Sequence, residues 1–483
     1  MKNNVSLYKL KSIVSVLIYL SVLYLSVALV FLDSNSIALE TSQFLMILMM
    51  MFVTVGISLC GQNLSSWYLW FILIFILLYC FGTAVGILSF GLGLNFLDYA
   101  TFFSNDTSNE AAARSYIITS FSLGVLFLCH PIAAYFERKS SSMELEYSHD
   151  FFILGRFLII LTLPVVLYNL AYQIKLVSIY GYAYLYTESY QSSSDVIPFT
   201  SLFVNLNKVG FLLVFASLPN LKKLNVYFAV FLLVSFFDAM KGARVLLILP
   251  FMWVIFYRVR YYGAGFGGKL KFIVLSFFGF LFLFLVQMVR SGQEISFDVL
   301  IRFLVFSISK AQYHLAVFID NSELLSRDFP YFLSTLLFPI TYLKYGSQVV
   351  GQSESTALLR GDLNHVMSST LNYSAYLDGA GMGSSLISEL FQYGIIPLAA
   401  LLIFFVLFYS FFIYLTSRFK LLLVIQPLLF MHVVFSPRDT AFPNTWVYVK
   451  FLVLIIGLLL VYHLMLRSSN KSAHCKGVNC YEE

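Results

Sequence analysis

This sequence has very little charge. Only 11% of its 483 residues are Asp, Glu, Lys or Arg, against 60% hydrophobic residues, and its mean hydropathy is +0.84. That excludes a soluble globular domain, because too few charged groups remain to cover a surface. Cysteine is scarce as well, with five in the chain. Cys60, Cys80 and Cys129 lie inside apolar runs, where a free thiol behaves as a small hydrophobe. Cys475 and Cys480 stand near His474 in a polar tail, and three ligands without a fourth fall short of a zinc set. No internal repeat is visible, and no aspartate-rich motif offers two or three hard oxygen ligands together. The net charge of +6 is spread in short clusters, a pattern that does not point to nucleic acid.

What is abundant is long apolar sequence. A bilayer-spanning helix needs about 20 apolar residues. Twelve segments qualify or nearly qualify, at roughly 12–32, 40–60, 67–90, 115–136, 151–173, 201–218, 225–240, 245–262, 272–289, 394–415, 420–436 and 446–466. The expectation is one all-α, polytopic membrane domain over residues 1–483. The first run is longer than a signal-peptide core and is read as a retained span. With a cytoplasmic N-terminus, inside segments hold sixteen Lys and Arg, near residues 2–11, 138–139, 222–223, 258–271, 418–420 and 467–476. The short outside loops hold five: Arg114, Lys175, Lys241, Arg244 and Arg438. The positive-inside rule then puts both termini in the cytoplasm.

One outside segment, 290–393, is far longer than the rest, and loops of that length are usually functional. Its first part, 295–320, has helical spacing, with Asp298, Arg302, Ser309, Gln312 and Asp320 on one face. Such a helix is expected to lie on the membrane or cap the bundle. A thirteenth span there would bury Arg302, Lys310 and His314, at about 2.5–3.5 kcal/mol or less each. The stretch YFLSTLLFPITYLK (331–344) is too short to span and is broken by Pro339.

Charges gather at the outer ends of the helices. FFDAMKGARVLLILP (236–250) puts Asp238, Lys241 and Arg244 between two spans with almost no loop. Arg290 follows the ninth span, Arg438 and Asp439 lie in SPRDTAFPNTW, Glu389 enters the tenth span and Lys208 sits in the outer half of the sixth. Arg360 lies in LLRGDLNH within the long segment. Guanidinium groups offer a planar fork matched to phosphate oxygens. Apolar helices beside them suit a diphosphate carrying a lipid tail. The plainer account of each charge is local pairing and snorkelling, such as Asp238 with Lys241 or Arg244.

The Gly-Ala-Arg at 242–244 before an apolar span resembles the Gly-x-Arg signature of Wzy-type O-antigen polymerases. LNYSAYLDGAGMGSSLISELFQYGIIPLAALLIFF (371–405) is similar to that family's Asn-Tyr element, glycine-rich turn and following helix. SPRDTAFPNT resembles its Arg-containing final outer loop. Some members also carry paired outer-loop motifs with an Arg at fixed spacing before a Gly. Here Arg360 is followed at once by Gly361, so only Arg244, Arg438, Glu389 and the 379–383 turn carry over.

The resemblance implies a GT-C-like bundle in the bacterial inner membrane, with 290–393 as a large periplasmic loop. It implies glycosyl transfer at the periplasmic face without a cofactor. The donor would be a glycan on undecaprenyl diphosphate, and the acceptor a hydroxyl on the next lipid-linked repeat unit. Membrane lipid is a further partner, and a chain-length regulator is expected from the family alone. Cations positioned at the departing diphosphate lower the barrier. That role falls to Arg244, Arg290 and Arg438, with Arg360 and Lys241 as binding groups, in a metal-independent reaction. The base for the acceptor hydroxyl stays open among His314, Asp378, Glu389 and Asp439. His314 and His365 have equal standing as packing or surface residues. Tyr373 and Tyr376 are placed to stack on sugar rings. A ligase of the O-antigen type, marked by an outer-loop His, and a lipid-linked oligosaccharide flippase are the alternatives. A flippase calls for charges through the midplane, where Arg156 and Lys208 are the main ones.

Overall fold

The computed structural model describes residues 2–33, 37–60, 65–85, 107–141, 146–187, 199–241, 245–263, 309–379 and 381–478. Every regular element among them is a helix, with a single isolated bridge between Thr187 and Gln352. Seven helices are long and apolar enough to cross a membrane: Ile13–Leu32, Leu39–Cys60, Asn109–Leu128, His149–Tyr180, Val245–Tyr262, Ile395–Arg418 and Thr445–Leu464. Trp67–Tyr79 and Thr200–Ala216 are shorter apolar helices, and Leu221–Ala239 adds a further helix of 19 residues. The chain is therefore an all-α polytopic membrane protein.

Local chemistry sets the helix limits. Trp67–Tyr79 starts where Ser66 Oγ accepts from the Leu69 amide at 3.2 Å, because a hydroxyl at the cap satisfies one of the free N–H groups. The expected span at 115–136 is two helices, Asn109–Leu128 and His130–Ser141, meeting at Cys129. Pro131 explains the break: it lacks an N–H and fits the first turn of a helix, not its interior. Likewise 420–436 divides into Lys420–Leu423 and Gln426–Phe435, the second opening on Pro427. His149–Tyr180, with 32 residues, is roughly 48 Å long at about 1.5 Å per residue, so it overruns the apolar core of a bilayer. The expected ninth span at 272–289 lies outside the described residues.

Close helix approach relies on missing side chains. Gly155 and Gly210 face each other, and a Cβ on Gly155 would stand 2.7 Å from the Gly210 carbonyl oxygen. Small residues let membrane helices touch along their backbones, where dispersion replaces the hydrophobic effect.

The described part of 290–393 is a string of short helices: Lys310–Asp320, Tyr331–Leu336, Phe338–Tyr345, Glu354–Leu359, Leu363–Leu371, Tyr373–Leu377 and Leu386–Leu390. Pro339 stands where the 331–344 stretch breaks, as expected. The described part of the expected 295–320 helix is Lys310–Asp320. It is buried in the bundle against Asn109–Leu128: Thr119 Oγ1 donates to Gln312 Oε1 at 2.7 Å, and Gln312 Nε2 donates to Ser115 Oγ at 2.7 Å. Asp320 accepts from the hydroxyl and amide of Ser108. Gln312 and Asp320 belong to the expected polar face; the first part of the expected helix, 295–308, lies outside the described residues.

Candidate functional site

Three segments enclose a cavity of about 290 Å³ at one end of the bundle. The long segment contributes Thr335, Phe338, Arg360, Asp362 and Asn364. The Gln426–Phe435 helix contributes Leu428, Met431 and His432. The loop after it and the start of the last helix contribute Asp439, Thr440, Pro443, Asn444, Val447 and Tyr448. Each segment thus contributes both polar and apolar or aromatic side chains to the lining.

The final loop is held by its own chemistry. Pro437 stands in the first turn of a short 3-10 helix, Ser436–Arg438, which Asp439 caps. Thr440 Oγ1 donates to the Phe442 carbonyl at 2.9 Å, and Asn444 Oδ1 accepts from the Trp446 amide at 3.0 Å. Phe442 is fully buried among the rings of Phe332, Phe404, Phe405 and Phe408. Asp439 stays open to solvent on one side. Protein encloses the rest, and this burial pushes its carboxyl up to about 6, with the like charge of Asp362 adding to the effect and Arg438 and Arg360 opposing it.

Arg360 is ion-paired with Asp362 and stands over the Phe338 ring, 4.8 Å from its centroid. Asp362 caps the Leu363–Leu371 helix by accepting from the His365 amide at 3.2 Å. Burial opposes its charge, but Arg360 and His365 outweigh burial and hold it below the usual carboxylate range. His365 Nδ1 meets the Tyr376 hydroxyl at 2.8 Å, and burial lowers this imidazole to about 4.

Beneath the cavity loop lies a buried polar support. His314 packs on Gly383, which has φ of +90°, and a Cβ there would stand 2.8 Å from the imidazole. A glycine is needed at that position on both counts. His314 Nδ1 lies 3.4 Å from the Ser384 carbonyl oxygen. Burial, aided by Lys310 and Arg438, lowers its pKa to about 3, so it is neutral. Ser384 Oγ lies 3.1 Å from Glu389 Oε1, and the Ala441 amide donates to Glu389 Oε2 at 2.8 Å. Glu389 is fully buried, and this pushes its carboxyl up to about 8. Glu389 therefore ties the final loop to the glycine-rich turn.

The candidates from sequence are thus divided. Arg360 and Asp439 line the cavity, Arg438 adjoins it, and Glu389 and His314 lie under it. Tyr373 and Asp378 are exposed and do not line it. Tyr376 is fully buried, with its hydroxyl engaged by His365. Lys241 pairs with Asp238 and donates to Gln173 Oε1 at 2.9 Å. Arg114 is bound to Asp33 at 2.8 and 3.1 Å. Arg244 and Arg290 lie outside the described residues. Asp362, Asn364, Thr335 and His432 are cavity residues that the sequence did not single out. The one available signal was His432 itself, an ionisable group in an apolar helix. Among the described residues no three His, Cys, Asp or Glu side chains gather as metal ligands do.

A multi-pass helical membrane protein with a polar cavity at one end of its bundle is the class this architecture defines. The particular family follows from comparison: the family model described as O-antigen polysaccharide polymerase Wzy matches residues 10–468, and the chain belongs to that family. No curated protein and no solved structure matches it. The protein is thus a bacterial inner-membrane polymerase of the glycosyltransferase type, acting on lipid-linked oligosaccharide repeat units.

Proposed function

We propose that the chain joins repeat units carried on undecaprenyl diphosphate at the periplasmic end of the bundle, where the cavity lies. The observation that carries this reading is the meeting of Arg360, Asp362 and Asp439 in one cavity, with Arg438 beside it. In the proposed step a hydroxyl of the incoming unit gives its proton to the Asp439 carboxylate. Its oxygen attacks the anomeric carbon of the growing chain. The anomeric C–O bond to diphosphate breaks, and the diphosphate leaves with the electron pair. A carboxyl near 6 is matched to proton transfer at neutral pH.

Arg438, with Arg244 and Arg290 as the further arginines that the sequence offers, meets the charge on the departing diphosphate without a metal. Lys241 supports binding of the carrier. The charges of Lys241, Asp238 and Lys450 all reach Lys208, and Lys450 follows Tyr448 of the cavity wall by two residues. Lys208 and Lys450 have exposed side chains, which in a bilayer face lipid. An intramembrane cation near the outer end of a helix is suited to a lipid phosphate. In this reading both termini are cytoplasmic, and 290–393 is the periplasmic loop of one domain spanning residues 1–483.

Reconstitution tests the function directly. The purified protein is placed in vesicles bearing its own lipid-linked repeat units on one leaflet. Lengthening of the glycan there is the expected result. Movement of the units across the bilayer with no lengthening would sink the polymerase reading in favour of a flippase.

A further inference from the structure

Two short helices of the long segment, Tyr331–Leu336 and Phe338–Tyr345, form an elbow at Leu337. The second helix has two apolar faces. Phe338 and Tyr342, four residues apart, turn inward. Phe338 lines the cavity with Arg360 over its ring, and Tyr342 lies against Trp446 with ring centroids 5.2 Å apart. Leu337, Ile340 and Leu343, three residues apart, turn outward. They are 41%, 63% and 75% exposed, so the described residues leave them largely uncovered. Positions three and four apart share a helix face, so the outward set is a stripe, with exposed Lys344 beside it.

What covers this stripe follows from where the elbow is fastened. Thr445 Oγ1 donates to the Leu336 carbonyl at 2.6 Å, and Trp446 holds Tyr342. Both residues open the last membrane helix, Thr445–Leu464, which has 20 residues. At about 1.5 Å per residue such a helix is about 30 Å long, the thickness of a bilayer's hydrocarbon core. Its first turn therefore stands at the boundary between acyl chains and headgroups, and so does the elbow bound to it. The exposed side of that helix starts beside the elbow, with Val447, Val449 and Val453 at 38%, 45% and 65%. The local composition suits that depth. Trp446, Tyr342 and Tyr345 are of the kind that forms the aromatic belt of a membrane surface. Lys344 can lay its stem on apolar surface and keep its ammonium among headgroups. A helix lying in that plane buries its apolar face in the acyl boundary.

We propose that the 331–345 elbow is a membrane-surface anchor, with Leu337, Ile340 and Leu343 seated in the lipid leaflet at the cavity end. The anchor goes beyond the polymerase reading and does not depend on it. Phe338 of the same helix lines the cavity, so the anchor fixes the cavity at headgroup depth. On the polymerase reading, a lipid-borne substrate then reaches the cavity with its tail still in the leaflet.

Photocrosslinking of the full-length protein in cell membranes tests the anchor. The photoreactive residue p-benzoylphenylalanine replaces Ile340 or Leu343, one at a time. It is also placed at Val453, as the lipid reference, and at Glu323, a charged and exposed residue of the same long segment, as the water reference. After irradiation the chain is purified and digested, and its adducts are read by mass. Phospholipid adducts are expected at 340 and 343, as at 453, and none at 323. A protein adduct at 340 or 343, whether from a second copy or from another chain, overturns the proposal. So does the absence of a lipid adduct at both positions while 453 gives one. Lipid adducts at 323 as abundant as at 343 overturn it too, since the elbow would then be no different from the rest of the segment. Glycan lengthening is not read, so failure of the polymerase reading leaves this outcome untouched.

Discussion

The two ends of the bundle treat polar groups differently. The Trp67–Tyr79 helix runs between them, from Ser66 at one end to Tyr79, whose hydroxyl accepts from the Ile387 amide near Glu389. At the Ser66 end polar groups are consumed by the fold. Arg260 donates to the Ser65 carbonyl at 3.2 Å, to Ser140 Oγ at 2.6 Å and to Ser417 Oγ at 3.3 Å. Ser66 Oγ donates to Glu137 Oε1 at 2.7 Å. Four segments distant in sequence are clasped there, and the clasp leaves Arg260 little to offer a ligand. At the cavity end, Arg360, Asp362 and Asn364 line a cavity, and Asp439 stays open to solvent. Stability alone favours the first arrangement, since an unmade buried bond is a cost. Leaving charged and polar groups to face a cavity at the other end is what a binding site does.

The sharpest break of this contrast is Asp439→Asn. It keeps size and polarity but removes the base. Lengthening in reconstituted vesicles is expected to fall by about 10²–10⁴, the usual contribution of a positioned base. The wild-type rate should rise with pH through about 6, because the carboxylate is the working form and burial has raised its pKa to that point. A flat rate between pH 5 and pH 7, or an active Asp439→Asn protein, would remove Asp439 from the chemistry.

Glu389 is expected to give a smaller effect, acting on the loop and not on the sugar. Glu389→Ala strands the Ala441 amide and Ser384 Oγ, at a cost of about 1–3 kcal/mol in stability. Glu389→Gln can accept from Ala441 and face Ser384 as the neutral acid does, so both fold and lengthening should survive. The pH dependence has a definite sign. The folded pKa of about 8 lies above the ordinary 4.5. The stabilising contribution is therefore full below about pH 4.5 and is lost as pH rises through 8. A thermal melt series from pH 5 to pH 9 should show that decline in the wild type and not in Glu389→Gln. An identical slope in both proteins would mean that Glu389 is ionised in the fold.

Much of this arrangement was legible in the sequence, and the remainder has physical reasons. Apolar length revealed the membrane helices, and the prolines at 131 and 427 explain the two expected spans that divide. Charge clustering led to Arg360, Arg438, Asp439 and Glu389, because an ionisable group beside an apolar run demands an account. It did not separate Asp439 on the cavity wall from Glu389 beneath it, since both are acids flanking spans. Thr335 and His432 escaped notice because their distinction is a place on the cavity wall, a property of tertiary packing that no local pattern encodes. The helix at Lys310–Asp320 shows the same limit: period 3.6 identifies a polar face but not what covers it.

Arg260→Ala provides the opposite control, with the smallest expected effect on chemistry. Removing the guanidinium strands the Ser65 carbonyl, frees two serine hydroxyls and leaves Glu137 without its nearby positive charge. The loss is about 1–3 kcal/mol of stability, read as a lower Tm in detergent. Lengthening per mole of folded protein should stay within about twofold of wild type, since two unit charges about 20 Å apart, the length of the helix between the two ends, interact by well under 1 kcal/mol in water. Should Arg260→Ala instead abolish lengthening while the melt is unchanged, the division between a structural end and a working end would be wrong. Glycosyl transfer would then have to be sought among the serines and Glu137 at that end.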